Sequence, residues 1–189
     1  MLTVMVIVAI MAKMYVDSDA YNLKCIISRV DGETYCVRER AKLHDAANLL
    51  AEVTQRCKTL VRQCGEKYPD NPNVTRLVEG FSETRISETL PTSEHTAYSE
   101  NKGEKIAFCV DKTKGGTQLI DLNTLTFVAI HELAHIMTAS EGHKQIFWEN
   151  FKFLLDNAVK TGIYNPNDYK KAPTEYCGMT ISDNPYYDM

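Results

Sequence analysis

Two histidines and a glutamate, His131, Glu132 and His135, form the pattern H-E-x-x-H in the C-terminal half of the chain. On a helix, positions i and i+4 share one face, so both imidazoles can reach a single metal ion. The glutamate projects beside that face, where it can take a proton from an attacking water but lies too far round the helix to be a ligand. Metal-assisted hydrolysis requires this division of roles. The pattern therefore predicts a zinc site with Glu132 as the catalytic base.

A third ligand is expected just after this helix, where the chain turns at Gly142. His143 follows the glycine directly, and glycine frees the backbone to reverse and direct a side chain towards the metal. We therefore assign His143 as the third ligand, with Glu141 as the alternative. The metzincin spacing is not met, because the glycine and the last histidine come too late in the chain. Three protein ligands would leave the fourth zinc position for water, as in catalytic sites.

The helices that must position these residues can be read from the apolar pattern. Residues 123–140 are apolar on nearly all sides, which predicts a buried helix, and ionisable side chains there are costly unless paired or bound to an ion. Residues 144–160 predict a second helix with a broad apolar face. Apolar spacing predicts a third helix at about 40–64, with Gly65 as its C-cap, and a short helix around 75–78.

Strands are predicted before and between these helices. Residues 22–38 indicate a hairpin around Asp31-Gly32, a dipeptide suited to a two-residue turn. In that register Ile27 faces Cys36, which argues against a disulfide between Cys25 and Cys36. Alternating apolar residues predict further short strands between positions 84 and 110.

Cys57 and Cys64 are seven positions apart in one predicted helix, about 10 Å, so they are too distant for a disulfide. We interpret both as small buried side chains. Any disulfide of the chain must then join distant segments.

The tail after the last predicted helix holds five of the ten tyrosines and is expected to be irregular. Tyr164, Tyr169 and Tyr176 could each donate a phenol hydrogen bond to an oxyanion, although packing of a wrapped tail explains each of them more simply. Of the two remaining histidines, His44 lies on the polar side of its helix and His95 in a loop. Both are interpreted as solvated residues.

Length and charge restrict the function further. A chain of 189 residues with 44% hydrophobic residues can bury one sizeable core. Its formal net charge of -4 provides no basic field, and no clear nucleic-acid binding surface is visible. Residues 1–15 form a hydrophobic segment whose apolar run would cover about 16 Å as a helix, half a bilayer. We expect this segment to be a partial membrane anchor, a poor signal sequence or a buried element. Residues 16–189 are expected to form the domain.

The stretch "HELAHIMTASEGHKQIFW" resembles the WLM and SprT-like zinc metallopeptidases. The stretch from "SETLPTSEHTAYSENKGEKIAFCV" through "NPYYDM" resembles WLM-like proteins of large double-stranded DNA viruses, and the resemblance covers about residues 20–189. It implies an α+β fold, a minimal zincin in which a small mixed sheet packs with an active-site helix and further helices. It also implies one catalytic zinc ion on His131, His135 and His143, with Glu132 as the base. An extended substrate would pair with an edge strand, here within residues 96–110.

Two functions fit these observations. The first is a zinc endopeptidase that hydrolyses a protein or peptide substrate with a water activated by Glu132. The second is a structural or docking protein on a zincin fold with little or no activity, for example a virion or minor capsid component bound to a membrane or to viral capsid proteins. The hydrophobic N-terminus and the tyrosine-rich tail motivate the second. Glu132 favours the first, because a purely structural zinc needs no base beside it.

Overall fold

The computed structural model describes residues 6–8, 23–82, 86–90, 93–114 and 116–188. After a helical turn at 6–8, the elements follow in this order: β1 (Leu23–Ile27), β2 (Thr34–Arg38), α1 (Leu43–Lys67), α2 (Pro72–Gly80), β3 (Ile86–Glu88), β4 (Ala97–Glu100), β5 (Lys105–Phe108), α3 (Leu122–Met137), α4 (Gln145–Lys160), β6 (Thr174–Tyr176), β7 (Met179–Ile181) and a 3-10 turn at Pro185–Tyr187. The predicted α+β class with small mixed sheets is confirmed.

Helix α1 packs its buried face against α2 and α3, and it begins and ends about three residues later than its sequence pattern predicts. The predicted C-cap at Gly65 is wrong, because the helix continues to Lys67. A Cβ atom added at Gly65 would lie 3.0 Å from Cγ2 of Val78. The glycine therefore serves the close approach of α1 and α2 and does not end the helix.

The hairpin of β1 and β2 has a different register from the predicted one. Cys25 faces Cys36, and the two form a disulfide, so the prediction that they would not pair is wrong. The amide of Ser28 donates to the carbonyl of Glu33 at 2.8 Å, which closes a loop of four residues. Asp31-Gly32 lies at the end of this loop and does not form a two-residue turn. The longer loop shifts the pairing by two positions.

The sheet that faces α3 has the order β3-β5-β4, with β5 parallel to β3 and antiparallel to β4. Of the predicted edge segment 96–110, only the first part is an edge, because β5 is the central strand. Strand β4 packs against α3. The fold therefore places a sheet edge beside the helix that carries the H-E-x-x-H pattern.

Two partly buried arginines and two buried carboxylates join the first hairpin to this sheet. Arg38 contacts Glu88 at 2.7 Å and also Asp111, and Arg40 contacts Asp111 at 2.6 Å and also Glu88. Both carboxylates are almost completely buried. Each therefore has two guanidinium partners, which offset the cost of burying its charge.

A second disulfide, between Cys109 and Cys177, anchors the C-terminal segment to the end of β5. Next to it, the amide of Cys177 donates to the carbonyl of Asp111 at 3.0 Å, and the amide of Gly178 donates to that of Lys112 at 2.9 Å. The tail is thus more regular than predicted, since β6 and β7 form a hairpin there. The prediction that any disulfide joins distant segments is confirmed for Cys109 and Cys177 and is wrong for Cys25 and Cys36, which belong to one hairpin.

Cys57 and Cys64 are free thiols buried in α1, as their spacing predicts. Burial raises the pKa of Cys57 to about 12 and that of Cys64 to about 11. Both are therefore protonated at neutral pH and behave as small apolar side chains.

Most of the hydrophobic segment predicted at 1–15 lies outside the described residues. Within it, residues 6–8 form one helical turn with exposed side chains. Among the residues that the structure describes, no helix is long and apolar enough to cross a membrane.

Candidate metal centre

Helix α3 carries two of the three histidines and is buried along most of its length. It begins where the carboxylate of Asp121 accepts a hydrogen bond from the amide of Thr124 at 2.9 Å. It ends at Met137, three residues before the predicted end, because the backbone of Thr138 is extended. The hydroxyl of Thr138 turns back to donate to the carbonyl of Ala134 at 2.7 Å. The chain therefore leaves the helix one turn after the second histidine.

The imidazoles of His131, His135 and His143 converge on one point. Their Nε2 atoms are 3.2 Å apart for His131 and His135, and 3.1 Å apart for each pair that includes His143. Three ligands at zinc–nitrogen distances in a tetrahedral arrangement would be about 3.4 Å apart. Each Nε2 atom either donates or accepts a hydrogen bond. At least two of the three are therefore both donors or both acceptors, and those two cannot bond to each other. The three side chains could hold a metal ion, and this cluster fits zinc.

His143 reaches the cluster from the loop between α3 and α4. Gly142 has φ of +74°, the left-handed conformation that the predicted reversal requires. The indole N–H of Trp148 donates to the carbonyl of His143 at 3.1 Å. The Phe147 ring packs against the three imidazoles, with centroids 4.4 to 4.9 Å away. Helix α4 thereby holds the loop in place.

The turn between β4 and β5 braces the same loop. The ammonium group of Lys102 donates to the carbonyl of Thr138 at 3.1 Å and to that of Ser140 at 3.4 Å. It also forms an ion pair with Glu141 at 3.1 Å. On the other side, the amide of Asn150 donates to the hydroxyl of Thr138 at 2.9 Å. Glu141, the alternative third ligand, is thus engaged with a lysine and lies outside the cluster.

Burial lowers the pKa of His131 to about 3 and that of His135 to about 4, and the neighbouring histidines lower both further. Both rings are therefore neutral at physiological pH, which is the form that binds metal.

Glu132 is only 5% exposed. Burial raises its pKa to about 8, although a hydrogen bond from the backbone of Ser99 partly offsets this increase. Strand β4 thus supplies a backbone partner for Glu132.

Two cavities meet at His131 and Glu132. The first, of about 500 Å³, lies over the three histidines and is bounded by β4 and by the loop that holds His143. His95 also lines it, so this exposed histidine faces the candidate site, which the sequence pattern did not indicate. The second, of about 320 Å³, is lined by apolar side chains of α3 and of the β6–β7 hairpin, together with Tyr176.

The three candidate tyrosines lie in different surroundings. Tyr176 shares the second cavity with Glu132, and its hydroxyl donates to the carbonyl of Thr96 at 3.2 Å. Burial, and then the charge of Glu132, raise the pKa of Tyr176. Tyr164 and Tyr169 are buried against an aromatic side chain of α3 and line neither of the two cavities. The geometry therefore leaves Tyr176 as the candidate beside the site.

No protein-family model matches the chain. The chain is 28% identical over 161 residues to the uncharacterized protein R325 of Acanthamoeba polyphaga mimivirus, which covers 83% of this chain and 81% of that protein. It is 30% identical over 112 residues to the uncharacterized protein 042R of Invertebrate iridescent virus 3, covering 59% of this chain and 68% of that protein. The chain belongs to the family of protein 042R. The predicted relationship to proteins of large DNA viruses is confirmed.

The fold is also similar to a solved structure. The crystal structure of a Wss1 mutant from Saccharomyces cerevisiae matches with a TM-score of 0.50 and 16% identity, over 68% of this chain and 91% of that chain. The predicted likeness to the WLM and SprT-like metallopeptidases is therefore confirmed at the level of the fold.

Proposed function

We propose that this protein is a zinc-dependent endopeptidase in which His131, His135 and His143 hold one zinc ion and Glu132 is the catalytic base. The observation that carries this proposal is the convergence of three Nε2 atoms within 3.2 Å of one another. The carboxyl group of Glu132 lines the same cavity. A metal site that served only stability would have no use for a buried carboxyl group facing its cavity.

When bound, zinc would polarise the scissile carbonyl and make water more acidic. Glu132 takes the proton of the attacking water and passes it to the leaving amine. Its hydrogen bond with the backbone of Ser99 fixes the direction of the carboxyl group. Tyr176 lines the neighbouring cavity, and we assign it as a donor to the developing oxyanion, for which its O–H must turn away from the carbonyl of Thr96.

The free edge of β4 supports a role in binding an extended peptide. Alternate residues of a strand direct their backbone groups to opposite edges. The carbonyl of Thr96 accepts from the amide of Cys109 at 2.7 Å, whereas the amide of Ser99 faces Glu132. The backbone groups of Ala97 therefore point the same way as those of Ser99, and both residues line the cavity over the histidines. A substrate strand that adds to this edge would lie across Glu132.

The test is a comparison of Glu132→Gln with the wild-type full chain, using an unfolded protein as substrate and elemental mass spectrometry for zinc. We expect about one zinc per chain in both proteins, as the cluster implies. Cleavage by Glu132→Gln should fall about 10²- to 10⁴-fold, because the base is lost and the ligands are kept. Glu149→Gln, the same change at an exposed residue of α4, is the matched control and should cleave normally.

Two results would contradict the proposal. Cleavage that persists in Glu132→Gln would refute the assigned base. A folded wild-type protein that contains no zinc would remove the hydrolytic mechanism and would favour the docking protein. That alternative also predicts a defined contact with a membrane or with viral capsid proteins that wild type and Glu132→Gln make equally well.

A further inference from the structure

A third cavity, of about 260 Å³, opens beside His131. Its walls come from Phe127 of α3, from Trp148 and Phe151 of α4, and from Pro185 of the C-terminal segment. We call it the Trp148 pocket. Pockets that hold whole small ligands measure about 300–1,000 Å³, so this smaller cavity suits a single side chain. Because His131 lines it as well as the cavity over the histidines, the pocket adjoins the candidate metal centre.

The pocket presents aromatic surface that is held in place. Phe127 and Phe151 are buried and pack with ring centroids 5.3 Å apart, whereas Trp148 is 42% exposed. The indole ring is nevertheless fixed, since its N–H is bonded to the carbonyl of His143 and its ring packs on Phe147 at 5.3 Å. A rigid aromatic surface that is exposed to solvent is stabilised when another aromatic ring packs on it.

Charged groups at the rim of the pocket are paired. The carboxylates of Asp183 and Asp188 both contact the ammonium group of Lys170, at 3.0 and 3.1 Å. The ammonium group of Lys152 donates to the carbonyl of Pro185 at 3.2 Å. Lys170 thus contacts both rim carboxylates, and Lys152 adds a second ammonium group on the backbone of the same segment, so the rim provides no strong attraction for a charged side chain.

We propose that the Trp148 pocket is a substrate subsite that accepts an uncharged aromatic side chain near the scissile bond. This inference rests on the proposed function, because it assigns a side-chain preference to the same site. The C-terminal segment at 182–188 then forms one wall of the substrate cleft and takes part in selection. Phenylalanine should be preferred over alanine, lysine and glutamate at the position that enters the pocket.

The test uses the zinc-loaded full chain and a series of alanine-based peptides in which one position is Phe, Ala, Lys or Glu. We expect kcat/KM for the Phe peptide to exceed that for each of the others by about tenfold or more, since pocket contacts of this kind discriminate about 10- to 200-fold. Trp148→Ala should lose this preference, whereas Trp148→Phe should keep it. Ile146→Ala, which removes an exposed apolar side chain of the same helix outside the pocket, should leave the preference unchanged.

The pair of Trp148 variants separates recognition from positioning of the metal ligand. Both variants lose the hydrogen bond to His143, so any loss of zinc affinity is common to them. Only Trp148→Ala also loses the aromatic wall. Equal preferences in the two variants would overturn the subsite and would leave Trp148 as a residue that positions His143.

Binding distinguishes a failure of the subsite from a failure of the proposed function. Trp148 is the only tryptophan of the chain, so its fluorescence in zinc-loaded Glu132→Gln reports peptide binding without cleavage. A wild-type protein that cleaves no peptide would refute the endopeptidase, but tighter binding of the Phe peptide would still support the pocket. Cleavage of all four peptides with equal kcat/KM, or a preference for lysine, would overturn the pocket alone.

Discussion

Loss of the disulfide between Cys109 and Cys177 should destabilise the protein more than loss of the disulfide between Cys25 and Cys36. The first closes a loop with a sequence separation of 68 residues and the second one of 11. The loop-entropy relation gives about 4.4 kcal/mol for the first and about 2.8 kcal/mol for the second. The first value is a large share of the 5–15 kcal/mol that stabilises an ordinary domain, roughly a third of it or more.

Burial should widen the difference of about 1.6 kcal/mol that loop length alone predicts. Cys109 and Cys177 are both buried, whereas Cys25 is exposed. Replacing the buried pair with alanine therefore also removes packed sulfur atoms from the core and leaves a cavity. The lost bond would in addition free the hairpin that carries Tyr176 beside the candidate site.

The measurement is urea unfolding followed by circular dichroism, on Cys109→Ala/Cys177→Ala, on Cys25→Ala/Cys36→Ala and on the wild type. Zinc is removed from all three, because a bound ligand raises the apparent free energy of unfolding. The hairpin variant is the matched control, since it loses the same number of sulfur atoms. A loss of unfolding free energy in Cys109→Ala/Cys177→Ala no larger than in the control would refute the reasoning.

Two further predictions concern the rest of the fold. Asp111→Asn should lower the unfolding free energy in urea by about 3–5 kcal/mol, because it removes the buried carboxylate that pairs with both Arg38 and Arg40. Glu39→Gln, which breaks an exposed ion pair, should have little effect, and similar losses for the two variants would contradict this interpretation. The thiols of Cys57 and Cys64 should react with iodoacetamide at pH 8 only after unfolding, because burial raises their pKa values to about 12 and about 11. Rapid labelling of the native protein, measured by intact mass spectrometry, would show that α1 is not packed as described.

The grouping of the three histidines could be predicted from the sequence because its geometry is mostly local. His131 and His135 are one helical turn apart, and that spacing alone places them on the same face. His143 follows a glycine whose left-handed backbone lets the chain turn back, and the structure brings all three imidazoles together. The helices around them were predicted for the same reason, since an apolar period is a property of neighbouring positions.

The sequence failed where a position depends on distant partners. The register of Cys25 and Cys36 depends on a four-residue loop that the Asp31-Gly32 dipeptide does not reveal. Gly65 resembles a helix end in the sequence, yet the approach of α2 explains it. In both cases the local sequence motif is present, but tertiary packing determines the structure that the motif adopts.

What the sequence predicted by itself is a candidate metal centre, through three histidines and a glutamate that are close together in the chain. What only the tertiary structure decided is how these residues are surrounded. Strand β4 provides the backbone partner of Glu132, the second disulfide brings Tyr176 beside it, and the C-terminal segment closes the pocket of Trp148. These contacts join segments tens of residues apart. The apolar period of the sequence does not predict them, because they arise from the burial of separate apolar faces in one core.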